Sequence, residues 1–470
     1  METTLEKQSA DVAALHRTES EMTVPAIEEA VTGHKSDGER EQAPLPEGGY
    51  GWVMVLSTFI AHFWVFGITN SFGIFTDYWT ANATFPGVAN TVLTFAGTVA
   101  TSGVDLYNPL TGALAEHFGY NVVAIAGGVF LFLGQYVCTL AGPTDVWVLF
   151  GGGTLAGVGY SSCIATAVAI PSHWFEAKLG LALGIGLTGM GVGGAVLTPL
   201  IQWLVDTYGW IYAMRSLSIA AGTMLVISGA LMRMRYPPRW RTRNKSTEVK
   251  RAPTDYSLFK KPTYWKLVLF AITFPPGFLC PYSYIPQQIQ DIERATGSTS
   301  ISGGGCLAIY NAFYALGQIL ASMSVKKTGP HALLAGSMSF QLLAFVPLYL
   351  CSRTSSTLLA LTCAVMGFAG SPVGLCITDI TIDAFGSDDA ATKIGLVFTW
   401  FAPSVFASGP ILGAIADRFS DFDPRGVRLR TEWAWVIVFC GAAQLVAVAA
   451  AVSLWMEKRR KLSSVMWRKG

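Results

Sequence analysis

The stretch Pro46–Trp52, "PEGGYGW", leads directly into the apolar run "VMVLSTFIAHFWVFGITNSFGIF" of residues 53–75. A run of this length is enough to cross the hydrocarbon core of a bilayer as a helix, which needs about 20 residues. An acid, three glycines and two aromatic side chains stand at its entrance. We expect the glycines to let the chain turn tightly into the span, and Tyr50 and Trp52 to anchor its end at the membrane interface.

The composition indicates that lipid is the main surroundings of this chain. Of its 470 residues, 51% are hydrophobic and only 13% are charged, against about a quarter charged in soluble domains. The net charge of +2 gives no reason to expect a nucleic-acid partner. The eight cysteines form no CxxC pair and no Cys/His cluster, so we expect no metal site and no cofactor.

Twelve apolar segments follow one another along the chain. They lie at about residues 51–78, 88–114, 121–141, 146–170, 179–204, 212–234, 264–286, 300–325, 331–352, 357–384, 391–416 and 432–456. Backbone groups in lipid must be satisfied within the segment, so these are helices; the alternating strands of a membrane barrel are absent from the sequence. The pattern predicts an all-α membrane protein with twelve transmembrane helices in two six-helix bundles.

The polar segments suggest the domain organisation. We expect a disordered acidic tail at 1–46, a first bundle at 47–234, a basic linker at 235–263, a second bundle at 264–456 and a tail at 457–470. The acidic tail has no apolar region typical of a signal peptide. Lys and Arg concentrate in the linker and the C-terminal tail, which predicts that both termini are cytosolic. We expect the plasma membrane, with the vacuolar membrane as the alternative.

The first loop on the opposite side carries the sequon Asn82-Ala83-Thr84. This pattern is the acceptor for N-glycosylation, so Asn82 is a candidate glycosylation site and the protein a candidate glycoprotein.

Two halves of six helices joined by a basic loop are typical of secondary transporters, whose halves alternate about a central site. The sequence has no GxxxxGK[ST] loop, which argues against an ATP-driven pump. No nucleophile–base set stands at one membrane depth, which argues against an enzyme.

Two motifs resemble the signatures of one family. The stretch "EGGYGW" resembles the first-span signature of the monocarboxylate porter family, within the major facilitator superfamily; its residues are Glu47, Gly48, Gly49, Tyr50, Gly51 and Trp52. Residues Trp174 to Gly189 are similar to the second signature, which precedes and enters the fifth span. The resemblance covers about residues 46–456 and implies the major facilitator fold and transport of a small organic solute. We expect the first motif to aid insertion and to latch the inner gate, with Glu47 meeting a basic partner.

The sequence departs from the family at the charges that handle carboxylates. Proton-coupled lactate carriers of this family use a lysine late in span 1, and an aspartate and an arginine one turn apart in span 8. Placing the motifs in register puts Asn70, Asn311 and Ala315 at those positions. The resemblance therefore argues against lactate or pyruvate, and favours a neutral or bulky aromatic solute.

Polar residues inside the spans are the candidate functional residues, since a charge at that depth costs about 2.5–3.5 kcal/mol. Asp105, in the middle of span 2, is the candidate for proton coupling; the alternative is a structural, hydrogen-bonded carboxyl group. Polar and aromatic stripes on spans 1 and 8 give candidate substrate-binding residues, or alternatively packing residues: His62, Asn70, Asn311, Tyr314 and Gln318.

Span 7 contains "TFPPGFLCPYSYIP", residues 273–286. We expect Pro275, Pro276 and Gly277 to break the helix and to act as a gate hinge, because broken helices at membrane depth line cavities.

The sequence thus predicts a secondary active transporter that works by alternating access and resembles the fungal branch of the family. We expect proton-coupled export of a neutral or bulky aromatic secondary metabolite. The alternatives are uptake of a monocarboxylate or a riboflavin-like vitamin, and a non-transporting nutrient sensor on the same fold. The expected partners are a small-molecule substrate, the proton and the lipid bilayer, and the expected state is a monomer.

Overall fold

The computed structural model describes residues 47–176, 178–235, 256–352, 355–386, 390–422 and 428–467. The predicted acidic tail at 1–46 lies outside the described residues, as do residues 236–255 of the predicted linker.

The described residues form twelve consecutive helical segments, which we call spans 1 to 12. Their bounds are, in order, Gly51–Thr69 with Phe72–Ala81, Asn90–Leu106 with Asn108–Phe118, Tyr120–Cys138, Trp147–Ala169, Leu179–Tyr208, Trp210–Leu231, Pro262–Thr296, Gly303–Thr328, Pro330–Cys351, Ser356–Gly370 with Val373–Phe385, Ala390–Phe398 with Phe401–Arg418, and Ala434–Trp467. Short 3-10 turns at Ile170–His173 and Tyr256–Lys260 follow span 4 and precede span 7.

Ten of these spans are long and apolar enough to cross a membrane by length and composition, within the described residues. The remaining two, spans 2 and 7, carry more polar side chains but pack among the others: span 2 lies along span 4, and span 7 along span 12.

The spans pack as two halves. In the first half, spans 1 to 6, span 1 lies along span 5, and span 3 lies along spans 4 and 6. In the second half, spans 7 to 12, span 8 lies along span 10, and span 12 along spans 7 and 9. The halves meet where span 5 packs against span 8 and span 2 against span 11.

Successive spans run in opposite directions, so the two ends of the bundle are easily named. Side A is the end where Glu47 leads into span 1, and it also holds the residues between spans 4 and 5. Side B is the end where residues 82–89 connect spans 1 and 2. The positive-charge pattern predicts that side A faces the cytosol.

Four spans are broken near their middle, so that each consists of two helices. The breaks fall at Asn70–Ser71 in span 1, Tyr107 in span 2, Ser371–Pro372 in span 10 and Thr399–Trp400 in span 11. Neither half therefore consists only of straight rods.

Span 7 is continuous, contrary to the expectation that Pro275, Pro276 and Gly277 break it. Pro276 has no N–H to donate to the carbonyl of Ile272, four residues earlier. The Ser404 hydroxyl of span 11 donates to that carbonyl instead. A neighbouring helix thus satisfies the group that proline releases, and the helix persists. The hinge role of these residues stays a prediction.

Two further details differ from the expectations: a pair of short strands and a longer last helix. Ser420–Phe422 and Arg428–Thr431 form a short antiparallel hairpin between spans 11 and 12, on side B. The Glu432 N–H also donates to the Phe419 carbonyl at 2.8 Å. The backbone groups of these non-helical residues are therefore hydrogen-bonded to one another. Span 12 continues to Trp467, so most of the predicted tail at 457–470 is helical.

Candidate functional site

Two of the predicted binding residues meet where the halves meet. The Asn70 Nδ2 atom donates to Asn311 Oδ1 at 3.0 Å, across 241 residues of sequence. Asn70 lies at the break in span 1 and Asn311 in span 8, and both side chains are buried. The Nδ2 atom of the same Asn311 amide donates to the Leu307 carbonyl at 2.8 Å. The pair therefore forms an uncharged, directional contact between the two halves.

Glycines of span 5 make room for this contact. A Cβ added to Gly194 would lie 2.2 Å from the Asn311 side chain, and one added to Gly191 would lie 2.6 Å from the Ala315 backbone nitrogen. Small residues let helix backbones approach closely in membranes. Span 5 is consequently shaped to receive the two positions of span 8 where the family resemblance places charges.

The break in span 1 is fixed to span 5 by a polar bond. The Ser71 and Thr198 hydroxyls are 2.7 Å apart, and Ser71 also donates to the Gly67 carbonyl at 2.7 Å. Because both hydroxyls are buried, this bond holds the backbone next to Asn70 in one position. The sequence analysis missed Ser71 and Thr198, since serine and threonine inside a span usually bond to their own helix.

Tyr314 and Gln318 lie on the same stripe of span 8 as Asn311 and are buried. The Tyr314 ring lies 6.3 Å from the Phe278 ring of span 7. Tyr314 and Gln318 therefore add one aromatic and one amide group to the surface next to Asn311, on the side that faces side A.

His62 is not part of this contact. It is buried in span 1, two turns toward side A from Asn70, and its ring stacks on Phe66 at 5.6 Å. Its Nδ1 atom lies 2.8 Å from the Thr58 carbonyl. Since a carbonyl only accepts, Nδ1 carries a proton, and in a neutral ring Nε2 is then an acceptor.

Asp105 lies in the last turn of the first helix of span 2 and is half-buried. Its backbone carbonyl accepts from the Tyr107 N–H, but its carboxyl group makes no hydrogen bond with another described residue. Thr91, Thr98 and Asp105 are seven residues apart, so they lie on nearly one face of the helix. The first two contact span 11, because Thr91 bonds to Asp417 and Thr98 packs on Gly409. Asp105 therefore lies on the face of span 2 that turns toward the other half.

Two further pairs join the halves on side B. The Asp417 carboxylate accepts from both the backbone N–H and the hydroxyl of Thr91. The Gln290 Nε2 atom of span 7 donates to Asp77 of span 1 at 2.8 Å. The sequence analysis did not predict these pairs. The signal that could have identified them is the acid near the end of each span, Asp77 and Asp417, since acids within spans usually have a polar partner.

The first family motif contacts the second. The Glu47 carboxylate accepts from the backbone N–H groups of Glu176 and Lys178 at 2.7 and 3.1 Å. The Nζ atom of Lys178 also lies 3.5 Å from the Glu47 backbone carbonyl oxygen. A basic partner for the Glu47 carboxylate stays a prediction. The Trp52 ring meets the Phe175 ring edge-on at 5.2 Å.

Further contacts of the motif also lie within the first half. The Tyr50 hydroxyl donates to the Leu231 carbonyl at 2.8 Å. A Cβ on Gly51 would lie 2.9 Å from the Phe175 ring, so a larger residue here would force that ring to shift. These contacts anchor span 1 to span 6 and to the segment between spans 4 and 5, and the role of the motif at an inner gate stays a prediction.

The remaining expectations concern the surface and metal binding. Asn82 is exposed after span 1, and its Nδ2 atom donates to the Tyr78 carbonyl at 2.9 Å; its glycosylation stays a prediction. No group of three or more His, Cys, Asp or Glu side chains that could hold a metal ion occurs among the described residues.

Comparison with known proteins identifies the class as transporters and not enzymes. The model of the Major Facilitator Superfamily matches residues 54–410. The chain therefore belongs to this superfamily and is a multi-pass membrane protein and a secondary transporter.

Its relatives are of two kinds. MFS-type transporter dbaD of Emericella nidulans is 26% identical over 436 residues, 90% of each chain. MFS-type transporter pytF of Aspergillus terreus is 27% identical over 292 residues, 62% of this chain and 95% of the relative. Monocarboxylate transporter 13 of Bos taurus is 31% identical over 193 residues, 41% of this chain and 44% of the relative. The chain is thus similar both to fungal MFS-type transporters and to monocarboxylate transporters, in agreement with the predicted resemblance to the fungal branch of the monocarboxylate porter family.

The fold is also that of solved transporters. The nucleoside transporter NupG superposes with a TM-score of 0.65 over 85% of this chain and 99% of its own, at 14% identity. A peptide transporter, POT, superposes with the same score over 88% of this chain and 96% of its own, also at 14% identity. The likeness confirms the predicted fold.

Proposed function

We propose that this transporter exports a neutral or bulky aromatic organic metabolite, coupled to protons, from the cytosol. The observation that carries the proposal is the uncharged contact between Asn70 and Asn311. It stands where lactate carriers of the family place charges, and a buried anion without a countercharge is strongly disfavoured. An amide pair can instead exchange its mutual hydrogen bond for bonds to a polar, neutral solute.

Relatives of both names match over most of this chain: MFS-type transporter dbaD at 26% identity over 90% of it, and monocarboxylate transporter 12 of Xenopus laevis at 24% over 80%. The choice of solute therefore rests on the Asn70–Asn311 contact. The first experiment measures the direction of transport.

Asp105 is proposed as the proton carrier. It is an acid inside the spans, it lies on the face of span 2 that turns toward the other half, and its carboxyl group has no hydrogen bond to a described residue. A carboxyl group in this position can gain and lose a proton as the halves alternate. A residue that is locked in a structural hydrogen-bond network would be a poorer carrier.

The test is efflux and uptake in a transporter-deficient yeast that expresses the wild type or Asp105→Asn. The probes are labelled lactate, riboflavin and a labelled extract of fungal metabolites, each at two external pH values. We expect a neutral or aromatic compound to accumulate outside wild-type cells in a pH-dependent manner. Asp105→Asn should lose the pH dependence while it remains at the membrane, with Asp206→Asn as the control for removal of an exposed carboxylate.

Other outcomes contradict specific parts of the proposal. Saturable lactate uptake would restore the monocarboxylate assignment and refute the argument from Asn70 and Asn311. Riboflavin uptake would reverse the direction. Unchanged pH dependence in Asp105→Asn would remove Asp105 as the proton carrier and leave the solute assignment intact.

A further inference from the structure

A cavity inside the first half lies behind the break in span 1. Spans 1, 2, 3, 4 and 6 line it, and the space open to the centre of a water-sized sphere is about 30 Å³. Thr69 and Phe72, on either side of the break, belong to its wall. Asn70, between them, bonds to the other half. The broken backbone thus separates this cavity from the contact between the halves.

Two residues of the wall each carry a buried polar atom that lacks a hydrogen-bond partner in the part of the chain that the structure describes. These atoms are the carbonyl oxygen Oε1 of Gln135 and the indole Nε1 of Trp79. The Gln135 and Trp79 side chains are only 6% and 1% exposed. Buried polar groups in native proteins almost always have a partner, whether protein or solvent. One unpaired acceptor and one unpaired donor on residues of the same cavity wall therefore indicate a ligand that offers both.

The orientation of the Gln135 amide decides which bond a ligand makes there, and an O–H group fits either orientation, since it can donate to Oε1 or accept from Nε2. Its Nε2 atom lies 2.8 Å from the Tyr160 hydroxyl, which can either accept or donate. Exchanging the amide oxygen and nitrogen would pair Oε1 with Tyr160 and leave Nε2 unpaired instead. In both orientations one amide atom of Gln135 has no protein partner, and the Trp79 N–H is unaffected.

We propose that this cavity is a binding site for a small hydrogen-bonding group that accepts from Trp79 Nε1 and donates to Gln135 Oε1. A water oxygen needs at least about 10–15 Å³ of such space and two to four polar partners. The cavity therefore takes one or two oxygen atoms and no aromatic ring. The group is an O–H, supplied either by a resident water molecule or by a hydroxyl of an organic solute.

The two sources have different consequences. A resident water would complete the polar contacts of spans 1, 3 and 4 and keep the broken segment of span 1 in place. A solute hydroxyl would make the cavity a subsite of the transport path, reached past Asn70; only this second source rests on the proposed function.

The first test is a density map of the wild type in lipid nanodiscs, at a resolution that shows ordered waters, with and without methanol as the hydroxyl probe. We expect density within hydrogen-bond distance of both Trp79 Nε1 and Gln135 Oε1. Density without methanol identifies water as the occupant, and density that appears or grows with methanol identifies a site for organic hydroxyls. A well-resolved wall around empty space in both maps overturns the proposal.

The second test uses the sign of a stability change. In a Tyr160→Phe background the Gln135–Tyr160 bond is already absent, so Gln135→Met removes only the amide and conserves its volume. An occupied cavity predicts a lower Tm for the double variant than for Tyr160→Phe, because bonds to the occupant are lost. An equal or higher Tm overturns the proposal, because replacing a buried amide that has no hydrogen-bond partner by an apolar group should not destabilise the protein.

Leu217→Met, in the same wall, is the matched control for a change of shape without a change of polarity. Neither the map nor the Tm requires transport activity. Failure of this inference is therefore distinguishable from failure of the proposed export.

Discussion

At the scale of single residues, the amide pair Asn70–Asn311 concentrates the specificity of the proposed site. Each amide presents a donor and an acceptor, and neither carries a charge. The resemblance to the family located both positions in the sequence, but only the packing of span 1 against span 8 placed one within 3.0 Å of the other.

Asn311→Ala should lower the efflux rate of the exported solute by up to about tenfold. The solute then loses the hydrogen bond that the Asn311 amide would offer it, and such a bond is worth about 0.5–1.5 kcal/mol. Efflux from preloaded vesicles measures the rate. Leu316→Ala, a lipid-facing change on the same helix, should leave it nearly unchanged; an equal loss in both variants would show that span 8 is merely sensitive to truncation.

Glu47 has a second kind of role, which is to anchor the start of span 1. Its backbone lies in the left-handed region, at φ 52°, where a residue with a Cβ is disfavoured by about 1–2 kcal/mol. The bonds from the Glu176 and Lys178 N–H groups offset this strain. The position is thus held by tertiary contacts and not by its own conformational preference.

Glu47→Gln should reduce the stability of the purified protein by about 1–2 kcal/mol, because charge-assisted bonds to backbone N–H groups become neutral and one is lost. Thermal unfolding in detergent measures the change. Glu176→Gln removes the same charge from a neighbouring exposed side chain and should have little effect. Equal Tm values for the two variants would contradict the anchoring role.

At the scale of elements, span 5 carries two glycine surfaces with different partners. A Cβ on Gly193 would lie 2.1 Å from the Phe63 carbonyl oxygen of span 1, within the same half. A Cβ on Gly194 would instead meet the Asn311 side chain of the other half. The first partner is rigid backbone and the second is the movable end of a side chain.

Gly193→Ala should therefore impair folding, and Gly194→Ala should mainly impair transport. We expect Gly193→Ala to destabilise the protein by about 1–3 kcal/mol, as overpacking does. Gly180→Ala, with open space around the position, should be neutral or stabilising by up to about 1 kcal/mol. Tm and efflux are measured for all three variants. Transport loss without loss of Tm in Gly193→Ala would contradict the distinction.

Span 7 illustrates a limit of reading an element from its sequence. The Pro275-Pro276-Gly277 stretch predicts a break, yet the helix is continuous because Ser404 supplies the missing donor from span 11. A proline pattern shows which carbonyl group is released, but not whether a neighbouring element satisfies it.

At the scale of the whole molecule, the halves are in contact on side B through carboxylate bonds. Thr91 lies in the first turn of span 2, and Ala89, its N-cap residue, offers no side-chain acceptor. Asp417 of the other half supplies that acceptor, so the helix is capped only while side B is closed. Opening side B must break this cap and the Asp77–Gln290 bond.

Asp417→Ala should shift the population toward opening on side B. Loss of a helix cap is worth about 0.5–2 kcal/mol, which corresponds to a roughly two- to thirtyfold change in the equilibrium. Phe95→Cys, whose native ring lies 4.9 Å from Phe406 of span 11, reports opening by its rate of thiol labelling. The background is Cys351→Ser, because Cys351 is exposed.

Two controls accompany this experiment. Asp206→Ala removes an acid whose partner, Gln202, lies in its own helix, and should not change labelling. Asp417→Asn keeps an acceptor and should give an intermediate rate. Labelling that is unaffected by Asp417→Ala would mean that other contacts keep side B closed.

The sequence by itself determined the number of spans, their division into two halves and the family, because hydropathy and short motifs are local properties of the chain. Tertiary structure alone decided which polar residues act together. Asn70 meets Asn311, Thr91 meets Asp417 and Glu47 meets Glu176, and these partners are 241, 326 and 129 residues apart. Hydrogen bonds depend on distances of tenths of an ångström, and only the packing of helices through their glycines sets those distances.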